Sequence, residues 1–169
     1  MTSTASAPAV PTTQKPQASF NDVDVTFAQT MIPHHDQAVE MAKLAETRAF
    51  DAEVRELAAK IKAAQRSEIA TMTDWLSTWK APAPKGGHGE HVMSGMMTEE
   101  DMVKLQAAKG ARFDRMFTEL MIAHHQGAIT MAKTEQSDGA DPKAKELAKT
   151  IETAQQAEIE QMQELLDRL

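Results

Sequence analysis

The sequence predicts an all-α protein: a four-helix bundle made of two repeated helical hairpins, joined by a linker that carries a short helix. Two observations predict it. The chain aligns with itself without a gap at an offset of 90 residues, the separation of His34 from His124. Apolar residues also recur at helical spacing through both copies, one stripe per helix, which is too little to stand alone as a single hairpin. With 4% aromatic residues and no Tyr, the core is left to Ala, Leu, Ile and Met.

In chain order, residues 1–19, "MTSTASAPAVPTTQKPQAS", read as a disordered Ser/Thr/Ala/Pro-rich tether, and residues 20–169 as one helical bundle. A Met directly before such a tether fits an exported chain from which a signal segment has been removed; a native mass starting at residue 1 would contradict this. Repeat one spans 20–79. In its first helix Phe27, Met31, Ala38, Met41 and Ala45 share a face, with His34 near the middle and His35 toward the edge. Pro33 stands where the second copy has Ala123; an interior proline removes a backbone hydrogen bond, so the helix is expected to bend, break or begin there. The next helix is capped by Asp51 and carries Val54, Leu57, Ile61, Ala64, Met72 and Trp75 inward, with Gln65 and Glu68 on the same stripe.

The linker, residues 80–109, opens with Pro/Gly-rich "KAPAPKGGHGEHVMSGMM" and continues as a short helix from Glu99, capped by Thr98 with Asp101 three residues later. Repeat two, 110–169, returns Asp24, Phe27, Met31, the His pair, Met41 and Lys43 as Asp114, Phe117, Met121, His124, His125, Met131 and Lys133. Its last helix starts with Asp141 as N-cap and Pro142 at the first helical position, and sets Gln155 and Glu158 where Gln65 and Glu68 stand.

These positions place histidines, carboxylates, amides and methionines inside one bundle. Buried polar groups need partners. One reading pairs His34 with Glu68 and His124 with Glu158 as core hydrogen bonds. The other makes the set a metal site, because helical bundles build such sites from facing side chains. A di-iron pattern would need Glu three residues before each histidine, but Met31 and Met121 stand there. Thioether with imidazole suits Cu(I), and by the same chemistry Ag(I). On a helix Met31 faces His34 and His35, and His34 faces Met41. Met72, Met116 and Met162 read as core fillers, a role that also competes for Met31, Met41, Met121 and Met131. A second candidate set, His88, His91, Met93, Met96 and Met97, lies in the linker; all six histidines fall there or in the two pairs. The alternative there is a solvated loop whose methionines cover the bundle's end.

The two stretches "HHDQAVEMA" and "HHQGAITMA", the trailing Gln-x-x-Glu-Ile-x-x-Met, and "MSGMMTEEDMVKLQAAKGARFDRMFTELMI" between them resemble the bacterial domain of unknown function 305 family, including its exported, copper-linked CopM-like members. The resemblance covers roughly residues 20–169. It implies a ferritin-like bundle, a location outside the cytoplasm and, for some members, copper or silver binding connected with metal tolerance. Carried onto matching positions, it implies His34, His35, Met41, His124, His125 and Met131 as ligands, with Met31 and Met121 adjoining. Pro33 and Asp36 against Ala123 and Gln126 make the two halves unequal.

A net charge of -7 and the lack of any basic run argue against a nucleic-acid binder. No Cys is present, so thiolate sites and a Cys nucleophile are excluded. Neither a nucleophile-elbow Ser nor a glycine-rich phosphate loop occurs, and no apolar run reaches the roughly 18 residues of a membrane helix. The expectation is a non-catalytic, extracytoplasmic protein (secreted, periplasmic or cell-envelope) that sequesters or passes on Cu(I). Two alternatives stand beside it: an iron or manganese enzyme using His34, Glu68, His124 and Glu158, and a structural or partner-binding bundle held by His–Glu pairs.

Overall fold

The computed structural model describes residues 19–84 and 93–169, which form five α-helices and, among the described residues, no strand. These are α1 (Asp22–Arg48), α2 (Ala52–Thr78), α3 (Glu99–Ala107), α4 (Ala111–Asp138) and α5 (Pro142–Arg168). The expected tether lies outside the described residues, Ser19 excepted.

Most helix starts are written locally. Asp51 accepts from the N–H groups of Glu53 and Val54, and Asp141 does the same for Lys143 and Ala144, with Pro142 opening α5. Thr98 accepts from Asp101 N–H, as the sequence predicts for the short helix. Asn21 and Asp24 form a reciprocal capping box at α1, a start the sequence reading does not single out. Helix α4 has no side-chain cap. It starts at Gly110, in the left-handed region at φ 64°, whose N–H donates to the Arg48 carbonyl at 2.9 Å.

Pro33 neither breaks α1 nor begins it. The helix runs from Asp22 through Pro33 to Arg48. Proline removes one backbone hydrogen bond, but Met31, Ile32, His34 and His35 on either side are buried, and that packing holds both turns.

Helices α1 and α2 form one antiparallel hairpin, α4 and α5 the other, and the hairpins meet along α1 and α4. The seam is antiparallel. Asn21 Nδ2 at the start of α1 donates to the Asp138 carbonyl at the end of α4, at 2.9 Å. Buried Asp24 accepts from the N–H groups of Ala140 and Asp141 in the opposite hairpin's turn; buried Asp114 accepts reciprocally from Phe50 at 3.0 Å and Asp51 at 2.8 Å. Each hairpin's first helix therefore holds the other's turn with charge-assisted hydrogen bonds.

Two apolar clusters fill the bundle. One gathers Phe27, Met31, Ile32 and Met72 with Ala128, Ala132, Ile151 and half-buried Met131. The other gathers Met41, Ala45 and Ile61 with Phe113, Phe117, Met121 and Met162. The inward stripe of α2 is narrower than expected: Ala64 is exposed and Trp75 only half-buried. At about 100° per residue Val54, Ile61, Gln65 and Met72 point the same way, and Ala64 turns off that line.

Candidate metal centre

Consecutive positions on a helix point about 100° apart. At His34 and His35 both directions are covered, so both rings are fully buried, and His35 does not sit at an exposed edge. His34 points into the α1–α4 seam and meets His124 there, ring centroids 3.8 Å apart and planes 31° from parallel. His35 points to α2, where its Nε2 lies 2.6 Å from Glu68 Oε2; His125 Nε2 makes the same contact with Glu158 Oε2 on α5, also at 2.6 Å. The expected pairs, His34 with Glu68 and His124 with Glu158, are thus each displaced by one residue. The reason is the seam: α1 and α4 consume the direction of the first histidine, leaving only the second to face its own hairpin partner.

Glu68 and Glu158 are half-buried rather than internal, with side chains 16% and 23% exposed. Their carboxylates reach water at one edge and a buried ring at the other. Gln65 and Gln155 are buried, and their Oε1 atoms have no hydrogen-bond partner among the described residues.

The ring nitrogens show a pattern. His34 Nε2 donates to the Ser94 carbonyl at 3.2 Å. With the two carboxylate contacts, three of the four rings are held at Nε2. Among the described residues Nδ1 of His34, His35 and His125 has no partner, and for His124 neither nitrogen has one. Burial pushes the His34 pKa down to about 3, reinforced by His35 and opposed by the Ser94 carbonyl. Burial likewise drives His124 well below the usual histidine range, with His34 the next cause. Both rings are therefore neutral at ordinary pH, the form that ligates metals.

The methionines divide. Met31 and Met131 lie in the cluster toward the start of α1, Met41 and Met121 in the cluster toward its end. Met72 and Met162 share those clusters, and half-buried Met116 packs on the second, so burial does not separate candidate ligands from core fillers. In the linker Met93 and Met96 are half-buried, while Met97 is 7% exposed and joins the core. His88 and His91 lie outside the described residues. Among the described residues no three His, Asp or Glu side chains are grouped so as to hold a metal ion between them. What the arrangement offers is the neutral imidazoles of His34 and His124 in the seam, with thioethers in the two adjoining clusters.

Gln37, Ser94 and Gly127, which bring the linker onto this centre, carry no chemical signature in the sequence. The one signal is a mismatch between repeats, Gly127 standing where repeat one has Gln37.

A family model described as "Domain of unknown function (DUF305)" matches residues 24–166. The chain is similar to a putative secreted DUF305 protein from Streptomyces coelicolor, at 34% identity and TM-score 0.80 over 86% of this chain and 93% of that one. It is similar to a DUF305 fragment from Deinococcus radiodurans at 34% identity and TM-score 0.81, over 88% and 98%. CopM in its Cu(II)-bound form matches at 35% identity and TM-score 0.76, over 86% and 96%, and CopM has also been solved with Cu(I) and with Ag. No curated protein matches.

Proposed function

The chain belongs to the DUF305 family, and on that premise we propose that it is a non-catalytic, extracytoplasmic protein that takes up soft cations, Cu(I) and by the same chemistry Ag(I), for sequestration or transfer. His34, His35, His124 and His125 are the nitrogen ligands, and Met31, Met41, Met121 and Met131 the adjoining thioethers. The observation that carries the reading is that the Nδ1 atoms of four buried rings have no partner among the described residues, while two of the rings are held from behind at Nε2 by Glu68 and Glu158. A carboxylate on the far nitrogen of a ligating histidine fixes its tautomer and orientation, and makes the near nitrogen a better donor. A structural pair needs the far contact alone, whereas a ligand also needs its near nitrogen kept from other partners, as each Nδ1 is among the described residues. Copper and silver in CopM support the choice of metal, and the secreted description of the Streptomyces relative supports the location. No helix among the described residues is long and apolar enough to cross a membrane.

The iron or manganese alternative needs Glu68 and Glu158 as ligands beside His34 and His124. Each carboxylate is engaged by the other histidine of its pair, which counts against it.

Anaerobic Cu(I) titration against a competing chelator tests the reading. The variant with His34, His35, His124 and His125 changed to Ala, its fold checked by circular dichroism, is expected to lose at least about 100-fold in affinity. Undiminished uptake would move the site to the linker set of His88, His91, Met93 and Met96. No uptake by the parent protein would return the His–Glu pairs to a purely structural role.

A further inference from the structure

Two of the four rings are held at Nε2 by carboxylates of their own hairpin. A third, His34, is held by something else: the backbone of the linker. The segment Ser94–Met97 crosses the seam between α1 and α4 as a strap, seated from both sides. From α1, Gln37 grips it with both ends of its amide, Nε2 donating to the Met97 carbonyl at 3.1 Å and Oε1 accepting from Met97 N–H at 2.8 Å. From α4, it is admitted by the absence of side chains. A Cβ built on Gly127 would lie 1.8 Å from the Ser94 carbonyl oxygen, and one on Gly95, which has φ +76°, would lie 2.4 Å from the Ala123 carbonyl oxygen. Two backbones meet here at a distance only glycine permits. Gln37 and Gly127 occupy equivalent positions in the two repeats, so one repeat position supplies the grip in one half and the notch in the other.

We infer that the strap Ser94–Met97 is a positioning element of the metal centre, its Ser94 carbonyl holding the Nε2–H tautomer of His34 and so presenting Nδ1, as Glu68 and Glu158 do for His35 and His125. The inference rests on the metal-centre reading above. A carbonyl can only accept, so His34 must donate from Nε2, and its lone pair is left on Nδ1. One strap on a nearly twofold site cannot serve both halves. Among the described residues His124 accordingly has no such partner.

The test uses the full chain and two variants that lift the strap from opposite sides, Gln37→Ala and Gly127→Ala. The second favours the helix it sits in, so the bundle is retained. The parent is titrated with Ag(I) first, beside His34→Ala. Two-bond proton–nitrogen spectra of the rings then report which nitrogen carries the proton, and amide exchange at Met97 reports whether the strap has lifted. Faster exchange is expected in both variants, with loss of the single Nε2–H form at His34 alone, unchanged rings at His35 and His125, and Ag(I) affinity reduced by about tenfold. A lifted strap with His34 and Ag(I) affinity unchanged overturns the inference and leaves the site reading standing. Tighter Ag(I) binding overturns it too, making the strap an obstruction. Unchanged Met97 exchange in both variants overturns the strap contact itself. No Ag(I) uptake by the parent, or full uptake by His34→Ala, overturns the assignment of His34 to the site, a result separate from failure of the strap.

Discussion

One residue of helical phase separates His34 from His35, and it divides their chemistry. His34 loses its solvent to the seam and gains a second imidazole; His35 gains a carboxylate. The burial of His34 has a consequence for the metal-free protein. The folded chain keeps this ring neutral down to about pH 3, whereas an unfolded chain protonates it near 6.5. A depressed folded pKa means that the stabilisation present above 6.5 is lost as the pH falls toward 3. The groups facing the ring, His35, His124 and His125, add no carboxylate contact to His34 itself, and Glu68 and Glu158 are spent on the other rings. To the pH dependence of urea unfolding His34 should therefore contribute a fall of up to about 1.4 kcal/mol per pH unit from pH 6.5 toward 4, opposite in sign to the contribution of the buried Glu135. Relative to His34→Gln the parent should thus lose stability across that window; an equal slope in both proteins would assign the acid sensitivity elsewhere. At this scale the sequence reading finds both histidine pairs in the interior but misplaces the carboxylates, because periodicity alone does not say which neighbour each face will meet.

Helix α4 carries a difference from α1 that makes sense only as a pair. Glu135 and Gly139 stand where α1 and its turn have Ala45 and Ala49, and a Cβ on Gly139 would lie 2.3 Å from Glu135 Oε1. The glycine makes room for the carboxyl. Glu135 is fully buried beside Asp24, and its pKa is pushed up to about 9, by burial first and then by the hydrogen bond and charge of Asp24. It is therefore protonated at neutral pH and donates to Asp24. Burial alone would raise the Asp24 pKa, but the hydrogen bonds it accepts from Glu135, Asn21, Asp141 and Ala140 outweigh that and hold it low. With a folded pKa above the unfolded value, Glu135 contributes stability that is complete below about 4.5 and lost as the pH rises toward 9. Glu135→Gln should thus gain on the parent protein between pH 5 and pH 8.5 in chemical denaturation; parallel curves would contradict the shared proton. Caps and starts are the part of each element most legible in sequence: Asp51, Thr98 and Asp141 act through their own neighbouring N–H groups. Continuity through Pro33 is not, since the packing that offsets the lost hydrogen bond comes from distant helices.

For the whole molecule, the reciprocal pins Asp24 and Asp114 join two hairpins that each bury too little alone. Asp114→Ala leaves the N–H groups of Phe50 and Asp51 without their acceptor, and is expected to cost about 3 kcal/mol, read as a lower denaturation midpoint. A loss below about 1 kcal/mol would mean that the α1–α4 seam holds the hairpins without the pin. The repeat, the helices, most of their caps and the presence of paired histidines inside an all-α bundle follow from the sequence itself, because each depends on residues a few positions apart or on a simple self-alignment. The His34–His124 stack, the transfer of both carboxylates to His35 and His125, and the strap over Gly127 were decided only by tertiary structure. Each depends on the rotation of one helix against another, which local spacing leaves free and long-range packing sets.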